Sequence, residues 1–414
     1  MKLRHIPFQE INYPGSPVRE FLKGEIPEIA PPNIESFKAQ IESRRETIIP
    51  RKALADVLRS QYALIPENDI ALKQIDTLEK TNTFTITTGH QCCVFTGPLF
   101  FIYKVLSAIK TAKELNTKFP DLHFIPLLWM ATEDHDFEEI ASFYSEDKLF
   151  KWNQNSMLQP VGRLTTQLDA VAEAIKAHIP NLPHANELFG IFEESYCRGH
   201  SLSHATRLLA HKLFDAYELL ILDADDPILK RHLAPIFKKD IFEHSTTEAV
   251  RIGNRILSEL KLPLQVNARE INTFYMGANG RQRIINTTDG FATADGLQTW
   301  TPKTLEHELD THPENFSPNV LLRPVYQELI LPNLAYIGGP GELSYWLQLP
   351  QVFLQYQIPF PLLLLRNSVW IASEKAQKLL KTLSLSYEVL GKDAETVKNH
   401  WIKTNAGKGI ALEK

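Results

Sequence analysis

Gly89-His90-Gln91 is the first place in the chain where residue types point to chemistry, because it follows the extended run Thr83-Phe84-Thr85-Ile86-Thr87-Thr88. A glycine and a histidine between a strand and a helix N-terminus can hold a phosphate or a carboxylate, since free backbone N–H groups and the helix dipole are aimed there. The spacing is neither GxGxxG nor a P-loop, so a tight turn with an exposed histidine is an equal reading. A second cluster, Glu133-Asp134-His135-Asp136, closes an apolar run. Like charges raise one another's pKa, which suits a general acid or base or an ammonium pocket. Asp, His and Asp are also ordinary metal ligands, and a helix N-cap with an acidic turn would need no chemistry at all.

Three further groups have the same character. Ser317, Asn319 and Arg323 surround a proline-flanked segment in which a guanidinium could meet a substrate carboxylate or make a structural ion pair. Gly338-Gly339-Pro340-Gly341-Glu342 is a second glycine-rich strand-to-helix turn, open to close approach by a ligand, with Tyr345 one turn on and Trp346 beside it as core. Arg366 ends a last apolar run. The three cysteines, Cys92, Cys93 and Cys197, are an odd count with no metal-finger spacing. They read as small buried filler in a protein of the reducing cytoplasm rather than as a disulfide framework.

The elements that must position these groups alternate strand and helix. Thr83–Thr88 is a strand, Pro98 suits a first helical turn, and Leu99, Ile102, Tyr103, Leu106 and Ile109 recur at helical spacing, with Lys110 and Lys113 on another face. His123–Met130 is the next strand, so the unit is βαβ and the sheet parallel. Further strands are expected at Leu219–Asp223, Leu334–Ile337 and Pro359–Leu365, with helices near His204–Ala216 and Pro227–Phe242. Asn279-Gly280 between β-rich arms signals a hairpin. The expected fold is α/β, a doubly wound parallel sheet. Its parts are a helical layer over 1–80, a first core half over 81–150, a helical insertion over 151–205, core again over 206–262, a β-hairpin insertion over 263–300, a second core half over 301–375, and a helical segment over 376–414. In such a sheet ligands bind beyond the carboxyl ends of the strands, where every cluster above lies.

Bulk properties exclude other classes. A net charge of -5 over 414 residues is too mild for a nucleic-acid or membrane surface, and no apolar stretch would span a bilayer. MKLRHIPFQEINYPG has no uninterrupted apolar core of a signal peptide.

Taken together, TTGHQCCVFTGPLFFIYK, LLWMATEDHDFEEI, FSPNVLLRP and YIGGPGELSYWLQL resemble the cysteine-adding enzymes of bacillithiol biosynthesis, the BshC family, in its Bacteroidetes-type branch. The resemblance spans Thr83 to Asn367. It implies a Rossmann-like core similar to class I aminoacyl-tRNA synthetases and nucleotidylyltransferases. It also implies joining of L-cysteine to the amine of glucosaminyl-malate through an amide, with carboxyl activation by ATP. His90 and Gln91 would then contact a phosphate or the activated carboxylate, and Asp134, His135 or Asp136 would serve as acid or base. No metal is expected. Family members continue into a dimerising coiled coil, and a chain ending at Lys414 is expected to lack most of it, which puts dimerisation in doubt. The readings from other classes are a metal-dependent hydrolase or transferase using Asp134, His135 and Asp136, and an inactive binding module.

Overall fold

The computed structural model describes residues 5–6, 8, 17–145, 148–154, 158–178, 183–387, 389 and 392–405. Most of the N-terminal stretch considered above as a leader, and the end of the chain from 406 on, lie outside the described residues. In chain order the strands are β1 (Thr83–His90), β2 (His123–Met130), β3 (Ser142–Ser145), β4 (Lys148–Lys151), β5 (Leu220–Asp223), β6 (Thr273–Gly277), β7 (Gly280–Thr287), β8 (Gly290–Thr293), β9 (Thr299–Trp300), β10 (Phe316–Pro318), β11 (Asn333–Gly338) and β12 (Leu362–Leu365).

Five of them form a parallel sheet in the order β12-β11-β1-β2-β5. Counting outward from β5, this is the 3-2-1-4-5 order of a doubly wound Rossmann-like fold, as expected, and strand order reverses between β1 and β11. β1 is buried along its whole length, and Thr85, Thr87 and Thr88 are satisfied within the sheet, Thr83 by the Thr77 carbonyl of a flanking helix. Thr87 donates to Asn333 Oδ1 at 2.8 Å and Thr88 to the Ile337 carbonyl at 2.8 Å. These bonds let a hydroxyl-rich strand sit at the centre of the sheet without a desolvation penalty.

The turn after β1 departs from expectation. Gly89 and His90 are still in the strand, paired with Trp129 and Met130, and the crossover helix begins only at Phe100. The residues between cannot be helical, because Phe95, Thr96 and Gly97 all have positive φ. Pro98 therefore precedes the helix and does not open it. That helix, Phe100–Lys118, buries Phe101, Val105, Ala108, Ala112 and Leu115. Of the expected stripe, Leu99 and Leu106 are solvent-facing, while Ile102 and Ile109 are half-buried against the core. Ala108 and Ala112 are small enough to bring the helix close onto the sheet, which decides the face.

After β5 the expected single helix is two, Pro227–Lys230 and Ala234–Glu243, followed by Ser245–Glu259. β6 to β10 then form an antiparallel sheet in the order β10-β6-β7-β8-β9. Its first hairpin closes on Gly277 opposite Gly280, so the two loop residues are Ala278 and Asn279. Gly280 follows the loop with φ +84°, a conformation that favours glycine.

The N-terminal helices Ile34–Arg45, Arg51–Tyr62 and Asp69–Leu78 pack on this core. Arg44 forms an ion pair with Glu328 in which both side chains are fully buried. Arg44 also donates to the Glu328 and Pro359 carbonyls at 2.9 and 3.0 Å. The other Glu328 oxygen accepts from Gln327 and Asn333 at 2.8 and 2.6 Å. No described helix is long and apolar enough to cross a membrane.

Candidate active site

A cleft of about 800 Å³ opens at the carboxyl ends of β1, β2 and β11, and the antiparallel sheet forms its far wall. Of the residues singled out from the sequence, Gly89, His90, Gln91, Glu133, Asp134, Asn319, Arg323, Gly339, Glu342, Tyr345 and Arg366 line it. His135, Asp136, Ser317 and Gly338 do not.

His90 sits at the end of β1 with its ring against Phe100 and Phe101, at 5.5 and 5.0 Å between centroids. Its Nδ1 is 2.8 Å from the Gln91 carbonyl, so Nδ1 carries the proton and Nε2 keeps a lone pair. Burial, with the Lys104 ammonium nearby, pushes its pKa down to about 4. The ring is neutral at pH 7, a hydrogen-bond partner rather than a cation for phosphate.

Gln91 reaches across to the acidic turn after β2, donating to Asp134 Oδ2 at 2.7 Å. The other Asp134 oxygen accepts from the His135 N–H at 2.8 Å and from Arg281 at 3.4 Å. Burial opposes the Asp134 charge, yet Arg281, the Gln91 amide and that N–H hold its pKa below the usual carboxylate value. Glu139 faces the same amide at 3.4 Å. Its carboxyl is raised by burial and then by Asp134 and Asp136. Glu133 turns instead to Lys230, a fully buried lysine shared with Asp225. Burial raises the Glu133 carboxyl.

The expected acid–base roles of His135 and Asp136 do not fit this geometry. His135 accepts from Arg281 at 3.3 Å and lies near the Phe274 ring, outside the cleft. Asp136 is solvent-facing and caps the short helix Phe137–Ile140. Among the described residues no three His, Cys, Asp or Glu side chains converge as metal ligands. Ser317, also expected to meet substrate, is buried on β10 and accepts from Arg281 at 3.0 Å. Asn319 lines the cleft, but its side-chain oxygen caps the helix Leu322–Ile330 through Leu321 and Leu322.

Arg323 lies on that helix and projects among Trp129, Tyr336 and Trp346, 5.5 to 5.8 Å from each ring. Its Nη1 donates to Gln327 Oε1 at 3.1 Å and the Tyr345 hydroxyl faces the guanidinium, while the buried Nη2 makes no hydrogen bond of good geometry among the described residues. The buried Gln91 Oε1 is likewise unmatched. Gly89 lies beneath this guanidinium, and a Cβ there would sit 3.0 Å from the Tyr336 hydroxyl.

Lys104 escaped the sequence reading. It is almost fully buried and donates to the Gly89 carbonyl and to both Glu342 oxygens, at 2.8 and 2.7 Å for the latter. Glu342 also accepts from the Tyr336 hydroxyl and the Gly339 N–H, each at 2.8 Å. Burial would raise the Glu342 carboxyl, but Lys104 and these donors hold it below the usual value. The Gly339 turn thus spends its N–H on the chain's own carboxylate. Gly338, expected among the binding glycines, ends β11 beneath this ion pair. Arg281 was also missed, although an arginine directly after a hairpin glycine in a β-rich arm was a visible signal. Arg366 stands over the Phe100 ring at 4.9 Å and donates to the Asn367 carbonyl. Cys93 lines the cleft with its thiol pushed up to about 12 by burial, and Cys92 is fully buried. Neither thiol ionises near neutral pH.

Residues 24–367 match the family model described as bacillithiol biosynthesis BshC, N-terminal Rossmann-like domain. A protein of Flavobacterium johnsoniae is 43% identical over 89% of this chain and 70% of its own length. One from Christiangramia forsetii is 42% identical over 87% of this chain and 68% of its own. A third, from Cytophaga hutchinsonii, is 37% identical over 80% and 61%. All three carry the name "Putative cysteine ligase BshC". With the match covering the whole parallel sheet and the cleft above it, the chain belongs to the BshC family of bacillithiol biosynthesis.

Proposed function

We propose that this chain is a cytoplasmic ligase that joins the carboxyl group of L-cysteine to the amine of glucosaminyl-malate as an amide. The observation that carries the reading is the presence of opposite charges in one cleft. The buried Arg323 Nη2 and Gln91 Oε1 are unmatched, and the Asp134 and Glu139 carboxyls line the same cleft. Such a set of groups suits a carboxyl group meeting an amine.

In this reading Arg323 holds the cysteine carboxyl oxygen and stabilises the oxyanion that develops when the amine attacks. Asp134, held ionised by Arg281, draws the amine in. Glu139, whose carboxyl is raised, accepts the proton that the amine loses, since a base with elevated pKa is better matched to that transfer. The C–N bond forms as the bond from the carbonyl carbon to one carboxyl oxygen breaks, that oxygen departing with the activating group that ATP would supply. His90 Nε2 accepts a hydrogen bond from substrate.

Activation of the carboxyl by ATP is what the family resemblance implies. Neither strand-end turn fits a phosphate cradle well. The Gly339 N–H is taken by Glu342, and the Gly89 carbonyl and Glu342 absorb the Lys104 donors. The roles above therefore concern the amine and the carboxyl alone.

The test is incubation of the folded protein with cysteine, glucosaminyl-malate and ATP, following the amide product by mass spectrometry. Absence of product would overturn the ligase and leave an inactive binding module. Product formed equally well without ATP would overturn nucleotide activation.

A further inference from the structure

The antiparallel sheet and the loop before it contribute Arg269, Arg281 and Arg283 to the cleft, and the protein itself uses one of the three. Arg281 is buried and committed: it donates to Ser317 Oγ, to the Pro318 carbonyl at 2.7 Å and to Asp134, and stacks on Phe274. The guanidinium groups of Arg269 and Arg283 have no hydrogen-bond or ion-pair partner among the described residues.

Both are nonetheless carried on firmly held backbone. The Arg269 N–H donates to Asn272 Oδ1 at 3.1 Å, and its carbonyl accepts from Asn272 Nδ2 at 3.0 Å and from the Thr247 hydroxyl. Asn272 is itself buried and anchored twice on the buried Asp240, at 2.8 and 3.1 Å. A buried carboxylate and amide specify a backbone path more than they add stability. The path specified here is that of an exposed loop whose outward product is one unpaired cation at a cleft. Arg283 is fixed by the β6–β7 register opposite Phe274, and its carbonyl accepts from the Ala294 N–H at 2.8 Å.

Elsewhere in the cleft Lys104 is paired with Glu342 and Arg281 with Asp134, and the Arg323 fork is already assigned to the cysteine carboxyl. The uncompensated charge on the far wall is two guanidinium forks, each suited to a carboxylate. We infer that Arg269 and Arg283 form a subsite for a pair of carboxylates on the acceptor substrate, the malyl end, facing the reacting groups across the cleft. This assignment rests on the ligase reading for the acceptor's identity and on the unpaired arginines for its place.

Isothermal titration of the full chain with L-malate as probe tests it, comparing wild type with Arg269→Gln, Arg283→Gln and the double variant. Each single change is expected to raise the malate Kd about threefold and the double about tenfold, as for partly exposed ion pairs. Cysteine binding stays unchanged, and so does the unfolding midpoint. In the amide assay the KM for glucosaminyl-malate rises in the double variant while kcat holds. If the double variant does not fold, Arg269→Lys with Arg283→Lys replaces it, and weaker malate binding with charge retained supports the fork geometry.

Undiminished malate binding in the variants, no malate binding by wild type, or weakened ATP binding in place of malate would each overturn the subsite. Failure of the ligase reading looks different. No amide would form, while malate binding would still depend on both arginines.

Discussion

Lys104 and Glu342 illustrate how tightly the floor of the cleft is tied. Replacing Lys104 with Met would leave the half-buried Glu342 carboxylate without its main counter-charge, held only by the Tyr336 hydroxyl and the Gly339 N–H. The expected cost is about 3–5 kcal/mol in chemical denaturation, as for other broken buried pairs. Lys104→Met with Glu342→Gln should recover part of that loss. A single variant as stable as wild type would show that the ion pair is not structural. His90 makes a pH-dependent prediction. Its folded pKa of about 4 is below the usual histidine value, so the unfolded chain binds the proton more readily. The stability it contributes is complete above about pH 6.5 and falls by about 1.4 kcal/mol per pH unit down to pH 4. His204 is also lowered to about 4 and adds its own slope. The readout is therefore the difference between wild type and His90→Asn, and equal slopes in both would contradict the burial argument. Lys104 is hard to read from the sequence because a lysine in a helix normally faces water. Its partner lies far along the chain, and helical spacing alone puts Leu99 and Leu106, not Lys104, on the buried face. His90, Gln91 and Arg323 are legible because strand ends concentrate such residues wherever the sheet is parallel.

At the scale of elements, the strands are readable from β-branched and apolar runs, and the hairpin from its glycine. The segment from Val94 to Leu99 is not, because three consecutive positive-φ residues have no periodic signature. Helix packing offers a counter-intuitive prediction. Gly253 lies inside the helix Ser245–Glu259, where alanine would ordinarily favour the helix by about 1 kcal/mol. A Cβ there would meet the Gln348 carbonyl at 2.5 Å. That carbonyl is backbone and cannot swing aside. Gly253→Ala should therefore destabilise the protein by about 1–3 kcal/mol, as overpacking does, with a lower urea midpoint. A raised midpoint would mean that the two segments can separate.

For the whole molecule, the Arg44–Glu328 pair joins an N-terminal helix to the helix Leu322–Ile330, just before β11. Sequence patterning makes 1–80 a layer without chemistry. It does not reveal that a charge from that layer is buried beside Asn333, the residue that also anchors the β1 threonines. Arg44→Met alone should cost about 3–5 kcal/mol, whereas Arg44→Met with Glu328→Leu should cost less because no ion is stranded. Equal losses for the two proteins, measured by urea denaturation, would remove the coupling.

The pairing of β1 with β11 has a consequence for synthesis. Thr85 and its partner Asn333 are 248 positions apart. At roughly 5–20 residues per second, a ribosome needs about 12–50 s to deliver the second after the first. Throughout that interval one edge of β1 is open to any passing strand. Hydroxyl side chains along that strand make it a poorer template for aggregation than a valine-rich strand would be. The threonines that later close on Asn333 thus also guard the nascent chain while it waits.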